Sequence, residues 1–464
     1  MLRALMIACL TAGLPSLPTA QAQEAPPTSG AVSEQDDWPV LTISGEHRAR
    51  YESLDPQYRP LLGEDDRALA LRTELVLEAE WPRWRFVGEL MDARAELNDT
   101  DSVLDTGVVN ALEPLQLSAT RTWTNLAGSG TDASLRIGRM TVDLGSRRLI
   151  SRNAFRNTRN SYAGIDWAWQ PGTNQSLRAF HLVPMLAQPR SRAALLDNEQ
   201  QIDETADHTH LRGLHFERPI GGNGDRMSIY WVGLDAAELA DQRDLDTFGA
   251  RFQRPEAPGQ WRYDVELMRQ TGRSSALAGN TLVRNLDHDA YFHHVEIGYR
   301  FAAPMSPALA LQYDLASGDE DPFDASNEGF DTLFGSRAFD FGPTGIYGPF
   351  ARANLETPGV VLALRLTDEW QAAFRYRSLE LSSPTDFWAT TALRDTSGQS
   401  GDSLGRQFDT SFSWQPRDSR FRLEFGAARF SKGEFIRRTA PAFSQTSIYY
   451  YAQTSVSFLG GAAG

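Results

Sequence analysis

The chain has 464 residues, 60 of them acidic and 45 Lys or Arg, giving a formal net charge of -15, and its mean hydropathy is -0.41. Past the first two dozen residues no apolar run approaches the roughly 18 to 20 residues of a membrane-crossing helix, which excludes a helical membrane protein. A content of 41% hydrophobic residues, 37 glycines and 10% aromatics suits an all-β chain, and the spacing of its elements separates a soluble sandwich from a membrane barrel.

Residues 1–22 read as a removable export signal. Arg3 precedes the largely apolar stretch from Ala4 to Leu14, and Ala20, Gln21 and Ala22 form a small-x-small cleavage site. The only cysteine, Cys9, lies inside that signal, so the mature chain has neither disulfide nor cysteine-ligated metal. Residues 23–38 are expected to be a periplasmic N-terminal segment, and 39–464 the folded unit.

The folded unit shows about eighteen runs of alternating apolar and polar residues. Strands are expected near 39–53, 67–81, 84–98, 132–140, 147–151, 162–170, 174–184, 208–218, 225–235, 245–254, 260–270, 288–302, 305–317, 355–367, 369–381, 405–415, 420–431 and 446–458. Their connections alternate. Tight ones include Pro82-Arg83, Pro171-Gly172-Thr173, Ala303-Pro304, Asp368 and 416–419. Long ones are expected at 99–131, 185–207, 271–287, 318–354 and 382–404. A closed antiparallel transmembrane β-barrel has short periplasmic turns, long extracellular loops and an even strand number, so this is the fold expected, in a bacterial outer membrane and in contact with its lipid.

Trp370, Ala372, Phe374 and Tyr376 alternate with Gln371, Ala373, Arg375 and Arg377, one set suited to acyl chains and the other to water. Aromatics gather at strand ends, as at Trp81, Trp84, Trp167, Trp169, Trp261, Tyr299, Phe301 and Trp370, where rings sit at headgroup level. At eighteen strands such a barrel is wide enough for an aqueous channel. Nearly all the positive charge is arginine, Lys432 being the only lysine. Arg48, Arg50, Arg72, Arg251, Arg262, Arg300, Arg365, Arg375, Arg377 and Arg422 fall on the polar register of their strands, and guanidinium offers a planar fork of donors for carboxylates. Two uses fit that pattern: a relay for an anionic polymer, in which each site binds but releases readily, or ordinary pairing with lumenal carboxylates.

Other chemistry finds little support. His208, His210 and His215, and the pair His293-His294, lack a specific metal-ligand spacing. The acidic run from Asp319 to Asp324 lacks EF-hand spacing. There is no phosphate loop. No catalytic residue, cofactor or metal is assigned, no nucleic-acid partner is expected, and an outer-membrane barrel enzyme stands as the rival class.

Two blocks carry a resemblance. One runs from Ile137-Gly138-Arg139-Met140 through Leu144 to Arg152 and on through Asn157-Thr158-Arg159-Asn160-Ser161-Tyr162-Ala163-Gly164. The other is Tyr313-Asp314-Leu315-Ala316-Ser317-Gly318-Asp319, followed by Phe330 to Phe334, Gly348 and Asn354-Leu355. Together they resemble the alginate export family over most of the chain. That resemblance implies a monomeric 18-stranded outer-membrane porin with an arginine-rich conduit for an anionic polysaccharide such as alginate, served by periplasmic export machinery. It adds Arg139, Arg147, Arg148, Arg152 and Arg159 to the conduit. Tyr162-Ala163-Gly164 stands where the family has Phe-Asp-Gly, which leaves the substrate open. A general or small-anion uptake porin, taking acidic oligosaccharides, is the alternative. Tyr450, Ala452, Thr454, Val456 and Phe458 are expected on the closing strand.

Overall fold

The computed structural model describes residues 39–60, 62–128, 130–172, 174–222, 224–236, 242–278 and 281–459. The expected signal 1–22 and segment 23–38 lie outside the described residues. Eighteen strands form one closed antiparallel barrel. The first half comprises β1 (Val40–Asp55), β2 (Asp66–Trp81), β3 (Trp84–Glu96), β4 (Asn110–Trp123), β5 (Asp132–Met140), β6 (Tyr162–Gln170), β7 (Ser176–Leu186), β8 (His210–Pro219) and β9 (Arg226–Ala236). The second comprises β10 (Arg243–Arg254), β11 (Gln260–Ala278), β12 (Thr281–Arg300), β13 (Ala308–Ala316), β14 (Leu355–Arg365), β15 (Trp370–Glu380), β16 (Ser403–Trp414), β17 (Phe421–Lys432) and β18 (Ser447–Leu459). Each pairs with its chain neighbours, and β18 returns to β1 with Tyr51 opposite Ala452, so the sheet has no free edge. Leaving no unpaired backbone in lipid is the condition for crossing a bilayer with strands.

Period-two alternation sets the two faces. On β15, Tyr376 is 43% exposed while Arg375 and Arg377 are buried in the lumen. Leu75, Leu77, Ile137, Ile165, Leu214, Ile229, Leu267, Ile297 and Leu311 are exposed on the outer wall, as a lipid-facing belt requires. A girdle closes the belt at the short-turn end, with Trp81 and Trp84 on Phe86, Trp261 on Tyr299, and Trp370 on Trp414.

The strand total agrees with the sequence reading, but two members differ. Residues 147–151 are not a strand: Gly145 and Arg147 take positive φ, and the only ladder contact there is one bridge from Ile150 to Phe334. The missing strand is β4, inside what reads as the long loop 99–131. Pro114, a positive φ at Leu112 and two register shifts against β3 interrupt its first half, and small side chains mask the period of the rest. The expected loop 271–287 is mostly strand, because β11 and β12 continue into a tall hairpin. Its outer face carries the Arg269–Asp289 and Arg273–Asp287 pairs, and a ribbon wet on both sides shows no apolar alternation.

Two loops of the long-loop end fold into the lumen, 141–161 and 317–354, and bond to each other through Phe334 N–H to Leu149 O (2.9 Å) and Ser151 N–H to Phe334 O (3.2 Å). The apolar core therefore sits inside the barrel's upper half. There Met140, Val142, Leu149, Tyr162, Leu211, Phe292 and Phe330 form one cluster, and Tyr58, Phe341, Phe350, Leu379, Trp388 and Phe435 take part in another.

Candidate functional site

Guanidinium groups on the inward register and the inward loops stand among carboxylates and backbone carbonyls. Arg48, Arg50 and Arg72 hold the loop 141–161. Arg48 donates to Phe155 O (3.1 Å), Arg156 O (3.0 Å) and Asn157 Oδ1 (3.0 Å). Arg50 donates to Phe155 O at 2.7 Å, and Arg72 to Arg156 O at 3.0 Å. Arg50 also faces Glu52, and Arg72 lies between Glu46 and Glu74. Arg152 reaches Glu74 and Glu89, while Arg159 grips Glu74 at 2.6 Å.

On the opposite wall a carboxylate network ties the loop 317–354 to β11, β13 and β15. Asp340, almost fully buried, accepts from Arg148 (2.8 and 2.9 Å) and Arg352 (2.5 Å). Arg148 also meets Asp264 and Glu266. Arg377 pairs with Asp314 at 3.2 Å and donates to Asp340 O at 2.9 Å. Arg251 closes the network on Asp264. His294, Asp314 and Asp340 bring one ligand atom each within 4.8 Å of one another. Arg148, Arg352 and Arg377 already occupy those carboxylates, so this is an ion-pair cluster rather than a metal cradle. His293 faces outward while His294 faces the lumen, so the adjacent pair cannot share an ion.

The remaining expected residues are placed as follows. Arg262 meets Glu256 and Glu296, and Arg300 meets Glu256. Arg375 pairs with Asp409 and Arg422 with Glu424. Arg365 ends β14 on the lumenal register. Arg147 lies against the Phe339 ring at 5.1 Å. Arg139 departs from the expected conduit. It pairs in register with Leu117, which is 73% exposed on the outer wall, and so faces away from the lumen. There it binds Glu113 (2.5 Å) and Asp203 (3.0 Å) under the loop 187–209. Its alternation with Arg136 on β5 carried that information; the motif block did not.

The periodicity gave no sign of Arg156 and Arg337. Both line a cavity of about 310 Å³ between the two inward loops, beside Phe155, Phe334, Phe341 and Phe350. Arg337 is held by backbone alone, donating to Phe350 O (2.9 Å) and Gly345 O (3.3 Å). Among the described residues neither has a carboxylate at ion-pair distance, in contrast to nearly every arginine on the wall. Backbone carbonyls orient the Arg337 guanidinium without an ion pair, and the carboxylate of Asp105 lines the same cavity.

A closed, lipid-belted barrel with a water-facing charged lumen and inward loops is an outer-membrane channel. The sequence profile for Alginate export matches residues 40–449; the chain belongs to the alginate export family and is a protein of the bacterial outer membrane. Among solved structures, Pseudomonas aeruginosa OccK5 (OpdH) is similar at 14% identity and TM-score 0.55, with 91% of this chain and 99% of that chain covered. Pseudomonas aeruginosa OccK2 (OpdF) is similar at 11% identity and TM-score 0.58, covering 90% and 98%. Pseudomonas aeruginosa OpdK, crystallised with vanillate, gives 11% and 0.57, covering 90% and 99%. At such identities the likeness is one of fold. No curated protein matches.

Proposed function

We propose that the channel passes an anionic polysaccharide such as alginate, with Arg156 and Arg337 as its contacts between the inward loops and Arg147 beside them. The observation that carries this reading is that, among the described residues, Arg156 and Arg337 line the cavity between the inward loops with no carboxylate at ion-pair distance, whereas most other lumenal arginines have one. The other arginines of the sequence pattern then act as framework, holding the loops and balancing the wall. A favourable but shallow anion site is what conduction needs. The chain works as a monomer without catalysis, its signal is removed at residue 22, and periplasmic machinery delivers the polymer.

A second reading, uptake of small acidic sugars or other small anions, is favoured by cavity size. About 310 Å³ is at the low end of pockets that enclose a small ligand, and a structural neighbour was crystallised with vanillate.

Reversal potential across a salt gradient in a planar bilayer tests the charge reading. The wild-type pore is expected to prefer anions and to be blocked by uronate oligomers, and Arg156→Glu with Arg337→Glu to reverse the preference. A cation-preferring wild-type pore that oligomers leave unblocked overturns the proposal. Block by monomeric uronate alone moves the assignment to the uptake reading.

A further inference from the structure

Above the apolar belt, the outward register of β7 and β8 turns basic. His181 points outward, paired with Ile165 of β6 on one side and Arg212 of β8 on the other. His210, one outward step further along β8, brings its Nδ1 within 3.3 Å of His181 Nε2. His210 faces Asp235 across β8 and β9, but Arg212 faces Gly233, which has no side chain to cover it. The Arg212 guanidinium is exposed and makes no hydrogen bond or ion pair among the described residues. The nearest acid on that ladder row, Asp246, is taken by Trp231 Nε1 at 2.7 Å. Directly below lie Leu214 and Ile229, half-exposed and lipid-facing. An unpaired cation at the top of an apolar wall stands at the level of lipid headgroups, where a long basic side chain meets anionic lipid.

A second feature lies two strands on. Phe248, Ala250, Leu267, Arg269, Tyr291 and His293 bound a shallow groove of about 640 Å³ on the same outer wall. All six are on the outward register of β10, β11 and β12. The small side chain of Ala250 leaves the space between Phe248 and Leu267. With neighbouring strands about 4.8 Å apart, the groove begins roughly 10 Å around the wall from Arg212.

We propose that this wall docks the phosphorylated glycolipid of the outer leaflet, a phosphate resting on Arg212 with His181 and His210, and an acyl chain lying in the groove at Ala250. Phosphate suits the basic cluster because guanidinium binds it through two parallel hydrogen bonds. A chain in the groove explains why the apolar hollow and the unpaired cation share one side of the barrel. Such a lipid holds the β7 to β12 wall at a fixed depth in the membrane, and so supports the tall hairpin of β11 and β12 above it.

The test uses the full mature chain in detergent, titrated with bisphosphorylated lipid A and followed by native mass spectrometry. Arg212→Glu is expected to weaken binding by about tenfold or more, the scale of a lost charge-assisted contact. Arg218→Glu, outward on the same strand but at the short-turn end, serves as the control and is expected to change nothing. Ala250→Trp is expected to weaken binding with the charge unaltered. Lipid A stripped of phosphate should bind the wild-type chain no better than it binds Arg212→Glu. Equal binding by wild type and Arg212→Glu, or equal binding of phosphatidylglycerol and lipid A, overturns the proposal. Should Arg212→Glu fail to fold, Arg212→Gln with His181→Gln gives the same readout.

Discussion

The paired arginines of the lumenal wall and two arginines of the inward loops, Arg156 and Arg337, have the same chemistry and different surroundings. Arg72, Arg251 and Arg375 each stand against a carboxylate of their own or a neighbouring strand, whereas Arg156 and Arg337 line a cavity in which, among the described residues, neither has a carboxylate at ion-pair distance, although Asp105 also lines it. A guanidinium paired with a carboxylate fixes geometry and contributes little field at a distance. One held by carbonyls is oriented yet still charged. Position on a loop does not by itself set the surroundings, since Arg148, Arg152, Arg159 and Arg352 on the same loops are paired with carboxylates; what sets Arg156 and Arg337 apart is the cavity between the loops. The −15 overall charge is no obstacle, since local field decides what enters a narrow passage.

The largest break in that comparison comes at Asp340. Its carboxylate is shared by Arg148 and Arg352, all three buried. Asp340→Ala leaves Arg352 buried without its carboxylate and Arg148 with less compensation, a change expected to cost about 3–5 kcal/mol. The loop 317–354 should come away from β11 and β15, so conductance rises while urea unfolding shifts to lower concentration. Wild-type stability and conductance in this variant would show that the network does not retain the loop. For the same reason Arg375→Glu with Arg377→Glu is a poor probe of selectivity. It sets new carboxylates against Asp409 and Asp314 and is expected to disturb the fold before it reports on ions.

A smaller effect sharpens the comparison through pH. Asp319, at the start of the loop 317–354, holds the loop 381–402: Ser383 Oγ donates to its carbonyl at 2.8 Å and its N–H donates to Asp386 at 3.0 Å. Burial, a hydrogen bond with Glu328 and the neighbouring charges of Asp386 and Glu328 push its carboxyl up to about 7. A carboxyl raised on folding contributes stability that is complete below its unfolded value near 4 and is lost as pH rises through about 7. Protection factors in 317–354, taken relative to the base-catalysed intrinsic exchange, should thus fall between mildly acid and mildly alkaline buffer, and Asp319→Asn should flatten that fall. Protection indifferent to pH in the wild type would remove Asp319 from any part in holding the loops together.

How much of this was legible in the sequence differs between wall and loops for a physical reason. Alternation reveals a strand with one wet and one greasy face, so β15 and β11 up to Gln270 could be read directly. It fails where both faces are wet, as in the hairpin tips, and where Pro114 and shifted register break the period in β4. Carboxylate partners for the wall arginines could be anticipated because they recur within the polar register. Nothing local distinguishes Arg156 or Arg337, whose shared cavity arises only when two segments nearly two hundred residues apart pack inside the barrel. For Arg139 the alternation was the better guide, since Leu135, Ile137 and Arg139 share one face.

The smallest expected effect comes from an ion pair with the same chemistry placed in water. Arg417 and Asp368 meet at 2.8 Å across two turns at the short-connection end, with side chains 71% and 74% exposed. Arg148 and Asp340 meet at the same distance with 2% and 4% exposure. Contact distance therefore cannot be what separates them. In solvent the attraction is screened, the free side chains keep their rotamers, and water satisfies whichever group is left behind. Arg417→Ala should leave urea midpoint, conductance and ion preference at wild-type values. A measurable loss of stability there would mean that the turn, rather than burial, sets the worth of an ion pair in this barrel, and the distinction between wall and loop arginines would need another basis.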